Sequence, residues 1–123
     1  MNVDIKGIST IAATMLVLDI AWITLFMNKM FTPMIEKIQG KPMVMRPLGG
    51  ILAYGAMIGL FSIFKDDLTP QKAFLLGAGV FMTYDFTSYA LFSDWDLKIA
   101  VIDSMWGGVL FSLTKIVYDL VKN

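Results

Sequence analysis

Apolar residues run through the chain in four long stretches, and charged residues collect in the gaps between them. Between Lys6 and Lys29 the only charge is Asp19, and between Arg46 and Lys65 there is none. Between Lys72 and Asp94 there is only Asp85, and between Lys98 and Lys115 only Asp103. A helix needs roughly 20 mostly apolar residues to cross about 30 Å of hydrocarbon. The pattern therefore predicts an all-α four-helix transmembrane bundle, with spans at about residues 7–27, 48–64, 73–92 and 97–118.

The gaps carry their own signals. Lys29 ends the first span, and Met30, Phe31, Met34, Ile35 and Ile38 then keep helical spacing with Glu36 and Lys37 opposite. That predicts a short amphipathic helix lying in the interface between spans one and two, with Pro33 in its first turn. Gly40, Pro42 and Pro47 mark turns before span two. Lys65, Asp66 and Asp67 form a turn, and Thr69-Pro70 starts the next helix. Ser93 to Asp96 is a tight polar connection, so spans three and four form an antiparallel hairpin, with Asp94 and Asp96 as caps of the last helix. Small residues recur at helical spacing: Gly55 and Gly59, Ala73 and Gly77, then Ser104, Gly108 and Ser112 with Gly107 adjoining. Such stripes let helices approach closely in lipid. Trp95, Tyr118 and Tyr54 fall near span ends, where amphipathic aromatics favour the interface.

Composition narrows the picture further. Charged residues make up 16% of the 123 residues and hydrophobic ones 57%, against about 25% charged in soluble domains. The spans take up most of the chain, so residues 1–123 read as a single integral membrane domain. Cysteine and histidine are both absent, which removes disulfides, thiolate metal sites and the commonest general base. With zero net charge and no basic run, nucleic-acid binding has no electrostatic footprint. The N-terminus lacks the basic region of a cleaved signal, so the first stretch reads as a retained span. Four spans put both termini on one side. Lysine and arginine divide five to five between the two sides, so the positive-inside rule assigns no orientation. Nothing beyond "multi-pass membrane protein" follows for localisation.

Three charges remain inside spans, where an aspartate costs about 2.5–3.5 kcal/mol on insertion scales. Asp19 lies eight residues before Met27, Asp85 seven before Phe92, and Asp103 six after Leu97. At about 1.5 Å per residue, all three lie roughly 9–12 Å from the same membrane face. They are thus expected to form one carboxyl layer. Trp22 follows Asp19 at i+3 and Trp106 follows Asp103 at i+3, each pair on one helix face. Because those two helices run oppositely, the indoles are expected above and below the layer. Tyr84, Thr87 and Ser88 are expected to surround Asp85 with hydroxyls. No lysine or arginine lies at that depth, so each carboxyl must be protonated, hydrogen-bonded, hydrated or matched by a cation from outside.

The run Tyr84-Asp85-Phe86-Thr87-Ser88-Tyr89-Ala90, then Trp95, then Asp103-Ser104-Met105-Trp106-Gly107, resembles the signature of the DUF2177 family. Leu18-Asp19-Ile20-Ala21-Trp22 resembles that family's first-span motif, and the Phe31 to Ile38 linker is similar as well. Ser88 stands where an asparagine is usual, and Asp96 where a proline usually follows the tryptophan. The resemblance implies a small four-span membrane protein and marks these residues without supplying an activity.

Three functions fit these residues. The first is a site for a proton, a cation or a polar lipid headgroup at Asp19, Asp85 and Asp103, as intramembrane ionisable residues suggest. The second is a structural or assembly component, either a homo-oligomer or part of a larger membrane complex. The third is a lipid-modifying enzyme, which two carboxyls could serve as acid and base. The chain offers that enzyme no histidine, cysteine or intramembrane basic residue. No cofactor or resident metal is implied, and the bilayer itself is the one partner the composition requires.

Overall fold

The computed structural model describes residues 4–122, and among these every regular element is helical. Helix α1 spans Ile5–Trp22, followed without a break by a π-helical segment at Ile23–Met27 and by α2 at Asn28–Gln39. Then come α3 (Pro47–Phe64), α4 (Pro70–Leu91) and α5 (Leu97–Lys122). The ends follow from local chemistry. Asp4 caps α1 by accepting from the Gly7 N–H at 2.9 Å. Gly40, at φ 70°, closes α2 in the left-handed conformation that glycine adopts without penalty. Thr69 accepts from the Lys72 N–H and Pro70 opens α4, while Asp96 accepts from the Lys98 N–H at 2.8 Å to open α5. Asp94 caps nothing; it pairs with Lys37 at 3.8 Å on the surface.

The expected interfacial helix is present as α2, but it continues the first span instead of following a linker. Asn28 and Lys29 end an apolar stretch, yet neither breaks a helix, and Pro33 lies inside α2 instead of in its first turn. The continuous rod Ile5–Gln39 has 35 residues, about 52 Å at the α-helical rise. That exceeds the roughly 40–45 Å of a whole bilayer, so its end projects beyond the hydrocarbon. The apolar face of α2 is covered by protein: Phe31 and Met34 pack against Trp95, Ile99 and Ala100 at the α4–α5 turn. Trp95 is accordingly buried within the protein.

Among the described residues three helical stretches have the length and apolarity of membrane spans: the long rod, α3 and α5. Helix α4 has the length, at 22 residues, but carries hydroxyls and Asp85 through its second half. Its main partner is α5, forming the expected antiparallel hairpin. Gly77 and Gly107 bring the two backbones together: a Cβ on Gly107 would stand 2.6 Å from the Gly77 carbonyl oxygen, and one on Gly108 2.7 Å from the Phe74 ring. The first rod runs antiparallel along α5, with Gly7 beside Tyr118, Trp22 beside Asp103 and Phe31 beside Trp95. Helix α3 is the loosest element. It touches chiefly α1, and Phe61 is its one buried residue. Gly55 and Gly59 meet no other part of the described chain.

Candidate functional site

Asp19, Asp85 and Asp103 are all buried. Asp19 comes from α1, Asp85 from α4 and Asp103 from α5. The identical Asp-x-x-Trp spacing on two antiparallel helices produces a reciprocal exchange. In the observed register residue numbers facing each other sum to 125, so 19 meets 106 and 22 meets 103. The Trp106 indole N–H donates to Asp19 Oδ1 at 2.8 Å. The Trp22 indole N–H donates to Asp103 Oδ1 at 3.2 Å. Each tryptophan thus serves the other helix's aspartate, and the indoles do not flank the layer from above and below. They stack on one another, with centroids 4.9 Å apart and planes 6° from parallel. Such aromatic pairs contribute about 0.5–1.5 kcal/mol beyond their burial.

Tyr54 of α3 donates its hydroxyl to the second oxygen of Asp19. It therefore points inward, although its position in the sequence suggests an interfacial anchor. Nothing in the spacing flags it, because its role depends on how α3 is rotated about its axis.

Asp85 is fully buried, and neither of its oxygens receives a hydrogen bond. The expected ring of hydroxyls does not form. Thr87 lies two residues on, across the helix from Asp85, where it is exposed and donates to the Thr83 carbonyl within α4. Ser88 shares the Asp85 face at i+3 but its hydroxyl does not reach the carboxyl. Tyr84 is half-exposed and sets its ring edge-on to Trp95. What Asp85 faces is the carboxyl of Asp103 on α5. Two carboxylates offer only acceptors, so a bond between them requires a proton.

A cavity of about 430 Å³ opens beside this layer. Asp19, Trp22, Ile23 and Met27 line it from the first rod, Ala53, Tyr54, Ala56 and Met57 from α3, Val80, Phe81 and Tyr84 from α4, and Asp103 from α5. The π-helical segment thus borders the site directly, as π-bulges frequently do. Among the described residues no three acidic side chains are gathered closely enough for a metal shell.

A second polar cluster closes the other end of the bundle. Tyr118 donates to Asp66 at 2.7 Å and Lys122 pairs with it at 3.0 Å. The Tyr118 hydrogen bond first, and the Lys122 contact after it, hold the Asp66 carboxyl down at about 2. Lys115 is buried, giving one proton to the Lys65 carbonyl at 2.6 Å and another to Asp119 at 2.8 Å. These bonds pin the α3–α4 turn to the end of α5, which is why Tyr118 is buried.

The profile of the DUF2177 family, described as a predicted membrane protein, matches residues 5–118. The chain belongs to this family. No curated protein and no solved structure matches it.

Proposed function

We propose that this DUF2177 membrane protein is a multi-pass binding module whose Asp19, Asp85 and Asp103 layer holds an exchangeable positive charge. A proton, a cation or the polar headgroup of a lipid would fill that role. The observation carrying this reading is Asp85, fully buried with two unbonded oxygens against a second carboxyl. Burying a charge without a partner is costly, and Trp22, Trp106 and Tyr54 donate to Asp19 and Asp103, leaving Asp85 without a donor. In this reading α4 also crosses the bilayer, antiparallel to α5, and the positive charge comes from outside the chain.

The test is infrared difference spectroscopy of the protein in nanodiscs across pH 4–9, with and without added cations. The wild type is compared with Asp19→Asn, Asp85→Asn and Asp103→Asn. Carboxyl bands are expected to titrate together or to shift with a cation, and Asp85→Asn removes the coupled response. Bands fixed throughout would make the aspartates permanent helix contacts and end the proposal.

A second reading, an assembly component, is favoured by α3. Its Gly55 and Gly59 face meets nothing within the described chain, as a helix reserved for another subunit would. Native mass spectrometry from detergent distinguishes the two readings: a chain that stays monomeric with Asp-dependent infrared changes supports the binding module alone.

A further inference from the structure

The cavity beside the carboxyl layer has room and a lateral mouth, and proton binding calls for neither. Its volume of about 430 Å³ falls within the roughly 300–1,000 Å³ of small-molecule sites. Asp19 and Asp103 supply carboxyl groups, Tyr54, Phe81 and Tyr84 supply aromatic rings, and apart from Trp22, which is stacked on Trp106, the remaining lining is aliphatic or methionine. Ring faces and carboxylates attract the same ligand, a positive charge. The aliphatic walls select which kind. A small hydrated ion gains nothing from them, and among the described residues no three acidic groups are placed to replace its water. An organic cation that sheds water readily gains from all three.

The mouth follows from the loose seating of α3. Opposite Val80 and Phe81, α3 presents Ala53, Ala56 and Met57 to the cavity, and its contact with α4 is sparse. The gap lies at the depth of the carboxyls, inside the apolar part of the chain. A ligand using it arrives from the lipid, not from water.

We propose that this cavity binds an ammonium group carried on an apolar molecule, admitted from the bilayer between α3 and α4, with Asp19 and Asp103 as counter-charge. This rests on the layer being an exchangeable-charge site and names the chemistry of its occupant. A choline lipid headgroup and a free lipophilic amine share that chemistry.

The probe is phenyltrimethylammonium, titrated into the full chain in phosphatidylglycerol nanodiscs and read by tryptophan fluorescence, since Trp22 lines the site and Trp106 stacks on it. Its uncharged isostere tert-butylbenzene is the comparison. Saturable binding is expected, weakened about tenfold for the isostere and about tenfold in Asp103→Asn, the scale of one lost charge contact. Ala56→Phe fills the mouth without touching a charge and is expected to abolish binding while helicity and the carboxyl bands stay unchanged. It keeps the test decisive if Asp103→Asn misfolds. Repeating the titration in phosphatidylcholine nanodiscs identifies the source: competition points to the choline headgroup, unchanged affinity to a free amine. Equal binding of the isostere would reduce the cavity to an apolar slot and overturn the inference. Carboxyl bands that titrate while the probe fails to bind would overturn this inference and leave the exchangeable-charge site standing. Bands that do not respond, together with no probe binding, would overturn both.

Discussion

Replacing Gly107 with alanine should separate α4 from α5. The added Cβ would stand 2.6 Å from the Gly77 carbonyl oxygen, against 3.4 Å for ordinary contact, so the backbones must part by about 0.8 Å, the difference of the two. The Phe81 ring, closer still to that Cβ, is a second obstacle, and the Gly77 carbonyl is backbone, which cannot swing aside as a flexible side chain would. Overpacking of this kind costs typically 1–3 kcal/mol, and the helical preference of alanine over glycine returns at most about 1 kcal/mol. A net loss of up to about 2 kcal/mol is expected once the full propensity gain is returned. Gly59→Ala is the matched control, because nothing lies within 4 Å of its new methyl, and only the propensity gain of up to about 1 kcal/mol remains. Reversible unfolding in mixed dodecyl maltoside and SDS micelles, followed by far-ultraviolet circular dichroism, measures both variants. Equal stabilities would refute the close α4–α5 approach. A loss in Gly59→Ala instead would mean that α3 packs against another subunit.

Trp22→Phe keeps a ring for the stack but removes the N–H from Asp103, leaving a buried acceptor short of its donor; a loss of about 1–3 kcal/mol is expected in the same unfolding assay, together with loss of the indole exciton couplet, and wild-type stability would argue against the exchange of donors. At the other end, the Asp66 carboxyl sits at about 2, below its ordinary 3.8. Its stabilisation is therefore present above about pH 3.8 and fades as the pH falls toward 2. Asp66→Asn should flatten this shallow slope in melting temperature between pH 2 and 5, and an unchanged slope would assign the acid sensitivity elsewhere.

The features that depend on one-dimensional composition were legible in the sequence. Gaps in charge marked the apolar helices, Thr69-Pro70 and Asp96 marked helix starts, and counting residues pointed to Asp19, Asp85 and Asp103 as neighbours in the bundle. Features that depend on rotation about a helix axis were not. Tyr54 turns inward because of how α3 faces α1, and the Asp-x-x-Trp motifs show their exchange only once the register along α5 is fixed. Thr87 had a signal that could have excluded it, since i+2 lies across a helix from Asp85. The continuity of α1 with α2 was hidden because Asn28 and Lys29 end hydrophobicity without ending helical hydrogen bonding.

The marginal apolarity of α4 bears on how the chain is made. Presented alone to an insertion machinery, α4 would expose Asp85 to lipid at about 2.5–3.5 kcal/mol, with hydroxyls adding to that cost. Paired with α5, it hides Asp85 against Asp103 and buries Gly77 against Gly107. With α4 crossing the bilayer as proposed, the two segments suit entry as one hairpin, after α5 has been synthesised, so that the last quarter of the chain determines whether α4 is retained in the membrane.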